Sequence, residues 1–127
     1  WCYEVESGQN KIFKTSRIGS VEILSEEWQA EEKHTEGHID IFRMTGFEQH
    51  RVRIRLGMLA RNLLLEEYPL AERDIVKEES DGWVLDTLVS NYRGVGRFVL
   101  GLMDDVEVLE SEEFKSYLRA KIAEVKL

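Results

Sequence analysis

The chain has one cysteine, one proline and no excess of positive charge. Each shortage excludes something. Cys2 alone cannot close an internal disulfide, and no CxxC pair is present for a metal or a redox couple. A reducing, cytoplasmic setting is therefore expected. Pro69 is the single unconditional helix stop. With 17 basic against 25 acidic residues, the net charge is −8. That excludes a general polyanion binder, because such affinity comes from neutralising phosphates, but it leaves room for a local basic site. No apolar run approaches the roughly 18–20 residues that span a bilayer, and no signal-peptide pattern is visible. No membrane partner is expected. A nucleophile elbow, a P-loop lysine and a supported Cys-His pair are also missing. The residues read as non-enzymatic, with no cofactor and no metal. What remains is 43% hydrophobic and 33% charged over 127 residues. That suits a folded chain with one ordinary core, or one small domain plus part of another.

Trp1–Val5 is β-branched and aromatic enough for a strand. Glu6-Ser7-Gly8-Gln9-Asn10 reads as a turn. Lys11–Ile18 is expected as a second strand and Val21–Leu24 as a short third. Two or three short strands do not close a core unaided. Ser25–Lys33 is acidic around Trp28 and reads as a solvated turn or short helix. A linker is expected over 34–50, in which Ile39–Phe42 fits either a strand or a helical turn.

From Arg51 the pattern sharpens. Arg51-Val52-Arg53-Ile54-Arg55-Leu56 alternates strictly, as a half-buried strand does. A helix follows from Met58 to about Glu67, with Leu59, Ala60, Leu63, Leu64 and Tyr68 on one face, and Pro69 ends it. A strand over Arg73–Glu79 and one over Trp83–Val89 flank Asp81-Gly82, a type I′ hairpin signal. Ser90 or Asn91 caps a second helix, in which Val95, Phe98, Val99 and Leu102 share a face. Val106–Leu109 is a fourth strand. Ser111 caps a last helix with Phe114, Leu118, Ile122 and Val125 as its apolar stripe. The order β-α-β-β-α-β plus a helix is the ferredoxin-like, split βαβ arrangement. The fold class is α+β.

The side-chain period of two sets Arg51, Arg53 and Arg55 on one strand face, opposite the helices. They form either an anion platform or a row neutralised across the sheet by Asp86 and Glu107; a subunit interface is a third use. Arg93, Gly94, Gly96 and Arg97 open the second helix, where an anion could sit, yet Gly-Val-Gly falls far short of a dinucleotide fingerprint and reads more simply as close packing. His34 and His38 are four apart, but Thr35-Glu36-Gly37 between them lacks the metalloprotease glutamate and weakens any helix that would align them.

Two stretches, in order, resemble the C-terminal part of bacterial WYL-domain transcriptional regulators. Lys11-Ile12-Phe13-Lys14-Thr15-Ser16-Arg17-Ile18 followed by Val21-Glu22-Ile23-Leu24 is similar to the family's F-R-L-D-R-I and V-x-x-L barrel strands. Arg97–Gly101 with Leu102-Met103-Asp104-Asp105 and Val106-Glu107-Val108-Leu109 is similar to the G-L-G-D-like turn and V-E-V-L strand of the WYL C-terminal extension. Lys14 stands for the pattern's first arginine, Ser16 for its aspartate, Met103 for a glycine and Ser111 for a frequent proline.

The resemblance implies the last strands of a small SH3/Sm-like barrel over 1–33 and a ferredoxin-like extension over 51–127. It also implies a homodimer, and a DNA-reading winged helix-turn-helix upstream of Trp1. By the same likeness, Lys14 and Arg17 would hold a nucleotide or single-stranded nucleic-acid effector, since a guanidinium grips phosphate bidentately; a structural ion pair is the other use of Arg17. Two readings from other classes compete: a ferredoxin-like small-ligand module that regulates an enzyme, and a purely structural interaction domain.

Overall fold

The computed structural model describes residues 1–78 and 82–127. It is α+β and divides into two compact units, Trp1–Gly37 and His38–Leu127.

In the first unit, β1 (Cys2–Glu4) pairs antiparallel with β2 (Gln9–Lys11). Gly8 turns the hairpin at φ 66°, where a side chain would be strained. A Lys11–Glu4 ion pair of 2.8 Å ties its ends. Lys11–Ile18 is not one strand. The ladder stops at Lys11, and Thr15–Arg17 winds into a 3-10 turn, with Arg17 N–H donating to the Lys14 carbonyl at 2.9 Å and Ile18 N–H to that of Thr15 at 3.1 Å. Those local bonds satisfy groups that a strand would have needed a neighbour to satisfy. Val21–Leu24 carries no strand either. Asn10 fastens the unit's end: its amide donates to the Lys33 carbonyl and accepts from Thr35 N–H.

The second unit is built on a four-stranded antiparallel sheet of β5 (His50–Leu56), β6 (Ile75–Glu78), β7 (Gly82–Val89) and β8 (Val106–Leu109), in the order β6-β7-β5-β8. Helices α1 (Met58–Glu67), α2 (Tyr92–Gly101) and α3 (Glu112–Ala123) contribute to one core. Alternation along β5 sends Val52, Ile54 and Leu56 into that core, each wholly inaccessible. They meet Leu85 and Val89 of β7, Ala60 and Leu64 of α1, Val95 and Val99 of α2, and Phe114 and Leu118 of α3.

Several expectations shift in detail. Leu59 and Leu63 are largely exposed, so α1 buries a narrower stripe than its period allows. Ile122 and Val125 are exposed as well, and α3 ends at Ala123. The β6 strand begins at Ile75, not Arg73, because Pro69–Asp74 forms a 3-10 helix with the proline in its first turn. Asp81 of the expected type I′ turn lies outside the described residues; Gly82 holds φ 94°. Asn91, not Ser90, caps α2, accepting from Arg93 N–H at 2.9 Å. Ser111 caps α3 by accepting from Phe114 N–H.

The stretch 34–50 is more than a linker. His38–Ile39 (β3) and Thr45–Gly46 (β4) pair as a short hairpin, and Ile41 and Phe42 at its tip belong to the core. Asp40 organises it. One carboxylate oxygen accepts from Phe42 and Met44 N–H at 2.9 and 3.0 Å, and the other accepts from Ser90 N–H at 2.9 Å. Three donors offset the cost of burying that charge.

The helix-opening glycines have packing reasons. A Cβ on Gly94 would lie 2.7 Å from Phe42 Cβ, and one on Gly96 would lie 2.8 Å from the Tyr117 ring. A third close approach starts α1. Asp105 accepts there from Ala60 N–H at 2.7 Å, and its carbonyl accepts from Gly57 N–H at 2.8 Å. A Cβ on Gly57 would sit 2.0 Å from the Asp105 carboxylate. Asp105, from the turn before β8, thus caps a helix 45 residues earlier. Among the described residues, no helix is long and apolar enough to cross a membrane.

Candidate functional site

The open sheet face carries the three arginines, as the alternation requires. Register places Arg51 opposite Leu88, Arg53 opposite Asp86 and Arg55 opposite Val84 on one side. On the other side, Arg53 is opposite Leu109 and Arg55 opposite Glu107. Arg51 grips Asp86 bidentately, Nε and Nη2 donating at 2.9 and 2.7 Å. Arg53 pairs with Glu110 and lies 3.5 Å from Asp86. Arg55 donates to Glu107 at 2.7 Å and lies 3.8 Å from Glu78. The row is therefore answered by Asp86, Glu107, Glu110 and Glu78, and the face is not a bare cationic platform. The Arg51 hydrogen bond holds the Asp86 carboxyl below the usual carboxylate range and, in return, raises Arg51. Val84 is 2% exposed although it faces this side; arginine stems are long enough to shield such a neighbour.

The central strands outrun their neighbours at one end. β6 covers only Gly82–Leu85 of β7, and β8 covers only Arg53–Leu56 of β5. Both flanking strands therefore cover the same end, and His50–Val52 with Thr87–Val89 project as a two-stranded ribbon. Clefts open on each side of it. One, of about 500 Å³, runs between Ile39–Ile41, Arg73–Asp74 and the Asp86–Leu88 stretch of β7, with Arg51 on its rim. Another, of about 290 Å³, lies among His50, Arg51, Arg53, Tyr92, Glu110 and Glu113. Glu110 and Ser111 both take positive φ, 55° and 41°, where the chain leaves β8 for α3. Tyr92 stacks on Phe114 at 5.1 Å and meets the His50 ring at 5.2 Å; burial pushes its hydroxyl pKa up.

In the first unit, Lys14 and Arg17 are brought together. With Ile12, Phe13 and Ile18 they line a depression of about 420 Å³. The 3-10 turn sets both cations beside apolar side chains that are two-fifths exposed or more. A phosphate held by the two cations with a base against Phe13 suits that chemistry. His34, one of the two spaced histidines, meets the Trp1 carbonyl at 3.2 Å and the Trp28 ring at 5.3 Å. Among the described residues, no three His, Cys, Asp or Glu are grouped to hold a metal.

Two contributors were not evident from spacing. Arg73 joins Arg51 at the larger cleft only because the 3-10 helix after Pro69 delivers it there. Asp40 had a signal: a lone carboxylate inside Ile39-Asp40-Ile41-Phe42 needs partners if the run is buried.

A one-sided antiparallel sheet, helices on one face and paired charges on the other, defines a compact α+β domain. Residues 48–125 match the model of the WCX domain. The chain belongs to the WCX family, the WYL C-terminal extension found in WYL-domain regulators. No curated protein and no solved structure matches the chain.

Proposed function

We propose that this chain is the effector-sensing and dimerisation part of a bacterial DNA-binding transcriptional regulator working in the cytoplasm. The observation that carries the reading is the WCX match over more than half of the chain. The β6-β7-β5-β8 order supports a ferredoxin-like extension, and the β1–β2 hairpin supports the end of a small barrel before it. DNA would be read by a winged helix-turn-helix elsewhere in the regulator. The effector, a nucleotide or single-stranded nucleic acid, would be held by Arg17 and Lys14, whose shared depression supports that use. In the second unit, Arg51 has the most exposed side chain of the arginine row and is the member best suited to a separate anion contact. Arg53 and Arg55 serve the fold first, through their ion pairs. The effector acts by favouring one of two dimer states, which requires different affinities for them.

The test is binding of a fluorescent oligothymidylate to the chain, with Arg17→Ala beside it. Arg17→Ala should weaken binding by about 1–3 kcal/mol with the fold intact by circular dichroism, and should reduce the salt slope by roughly 0.7 for each phosphate no longer neutralised. Unchanged affinity in the variant removes Arg17 from the site. Sedimentation equilibrium tests the dimer.

A further inference from the structure

Helix α1 presents two surfaces. Ala60 and Leu64 are wholly inaccessible and fix it to the core. The helical period sets Met58, Leu59, Asn62, Leu63 and Glu66 on a stripe turned away from those two. On it, Met58, Leu59 and Leu63 are 66%, 56% and 38% exposed. The outer face of a surface helix ordinarily carries charged and polar residues; here three of five positions are large and apolar. A second segment adds to the stripe. Asp105 accepts from the Ala60 and Gly57 N–H groups, which stations the turn before β8 at the first end of α1. Met103 of that turn is 60% exposed. Met58 and Met103 therefore share that end of the helix, and methionine adapts its shape to a partner more readily than a branched side chain does.

The ends of the stripe are acidic. Glu66 lies at the second end, and Asp104, beside Met103, at the first. Both are exposed, and among the described residues no Lys or Arg pairs with either carboxylate. The one cation of the helix, Arg61, is turned onto the Trp83 ring at 4.8 Å. A second copy of the chain is a poor occupant. An antiparallel pair of α1 helices crossing near Asn62 would bring Glu66 of each to the Asp104 end of the other, and a parallel pair would set Glu66 against Glu66. Like charges so placed at the rim of an apolar contact select against a partner. A helix that carries cations instead satisfies both ends.

We propose that the outer face of α1 docks a basic amphipathic helix of a partner protein. Its apolar stripe would lie on Met58, Leu59, Leu63 and Met103. Its Lys or Arg residues, about two turns or 12 Å apart, would reach Asp104 and Glu66. Apolar contact supplies the affinity, and the two charge pairs set the register and the choice of partner.

The probe is the blocked peptide acetyl-Ala-Ala-Ala-Lys-Ala-Ala-Leu-Leu-Ala-Ala-Lys-Ala-Ala-Ala-Ala-Tyr-amide, titrated into the 127-residue chain and followed by amide NMR. Saturable shifts confined to residues 58–66 and 103–105 are expected. Affinity should fall at least tenfold when both peptide lysines become glutamate or both leucines become alanine. Glu66→Lys with Asp104→Lys should reverse the order, so that the glutamate peptide binds better than the lysine one; both positions are exposed and the double variant keeps its fold by circular dichroism. Absence of saturable shifts at millimolar peptide would overturn the proposal. So would equal binding of the lysine and glutamate peptides, which means apolar adhesion without recognition. Shifts at the same amides that grow with protein concentration alone would overturn it in favour of a second copy.

Discussion

The two units spend their apolar residues differently. No residue of Trp1–Gly37 is buried, and Val21, Ile23 and Leu24 are 79%, 95% and 62% exposed. In His38–Leu127 the same residue types vanish into one cluster around Val52, Ile54 and Leu56. Composition favours the second unit, where hydrophobic residues are 42 of 90 against 12 of 37 in the first, and layering completes the difference. A hairpin of three-residue strands offers no second layer, whereas a sheet with three helices against it encloses its inner face.

The comparison can be broken most sharply with a pair of truncations. Phe42→Ala should cost about 3–5 kcal/mol in urea unfolding, because the ring is 1% exposed and tilts against Tyr68 and Phe98. Ile23→Ala should change the same midpoint by less than about 0.5 kcal/mol. A small effect at Phe42 would detach the β3–β4 hairpin from the second unit's core.

Asp105→Ala comes next. It removes the acceptor for Ala60 N–H and should cost about 1–2 kcal/mol, with exchange fastest in the first turn of α1. Full retention of stability would mean that α1 needs no cap from outside itself.

The smallest effect concerns the charged face. Asp86 has a lowered pKa in the fold, through its hydrogen bond with Arg51. Its contribution is therefore present above the unfolded carboxylate value, near 4, and is lost as pH falls through the lower folded value. Asp86→Asn should flatten the loss of stability below about pH 4 and leave the neutral-pH curve only slightly lower, since Arg51 is largely exposed. An unaltered acid limb would show that other carboxylates set it.

Much of the second unit was legible. Strict alternation located β5 and the orientation of its arginines. The helix period located α1, α2 and α3, and Ser111 marked the start of the last. The first unit was read less well, because Lys11–Ile18 has strand-like composition but no neighbour beyond Lys11, and local 3-10 bonds took over. Leu59 and Leu63 kept the helical period yet stayed outside, since period names a face but not its cover.

By itself the sequence determined the elements from Arg51 onward, which face of β5 is apolar and which carries the arginines, and the absence of a disulfide framework. These depend on side-chain periods and residue chemistry, which act over a few positions. Only the tertiary structure decided which carboxylates meet the arginines, across separations of 35, 57 and 52 residues. It alone set Asp105 at the start of α1 and opened clefts beside the ribbon that β6 and β8 leave uncovered. Those outcomes follow from strand register and strand length, and a register exists only once distant segments have paired.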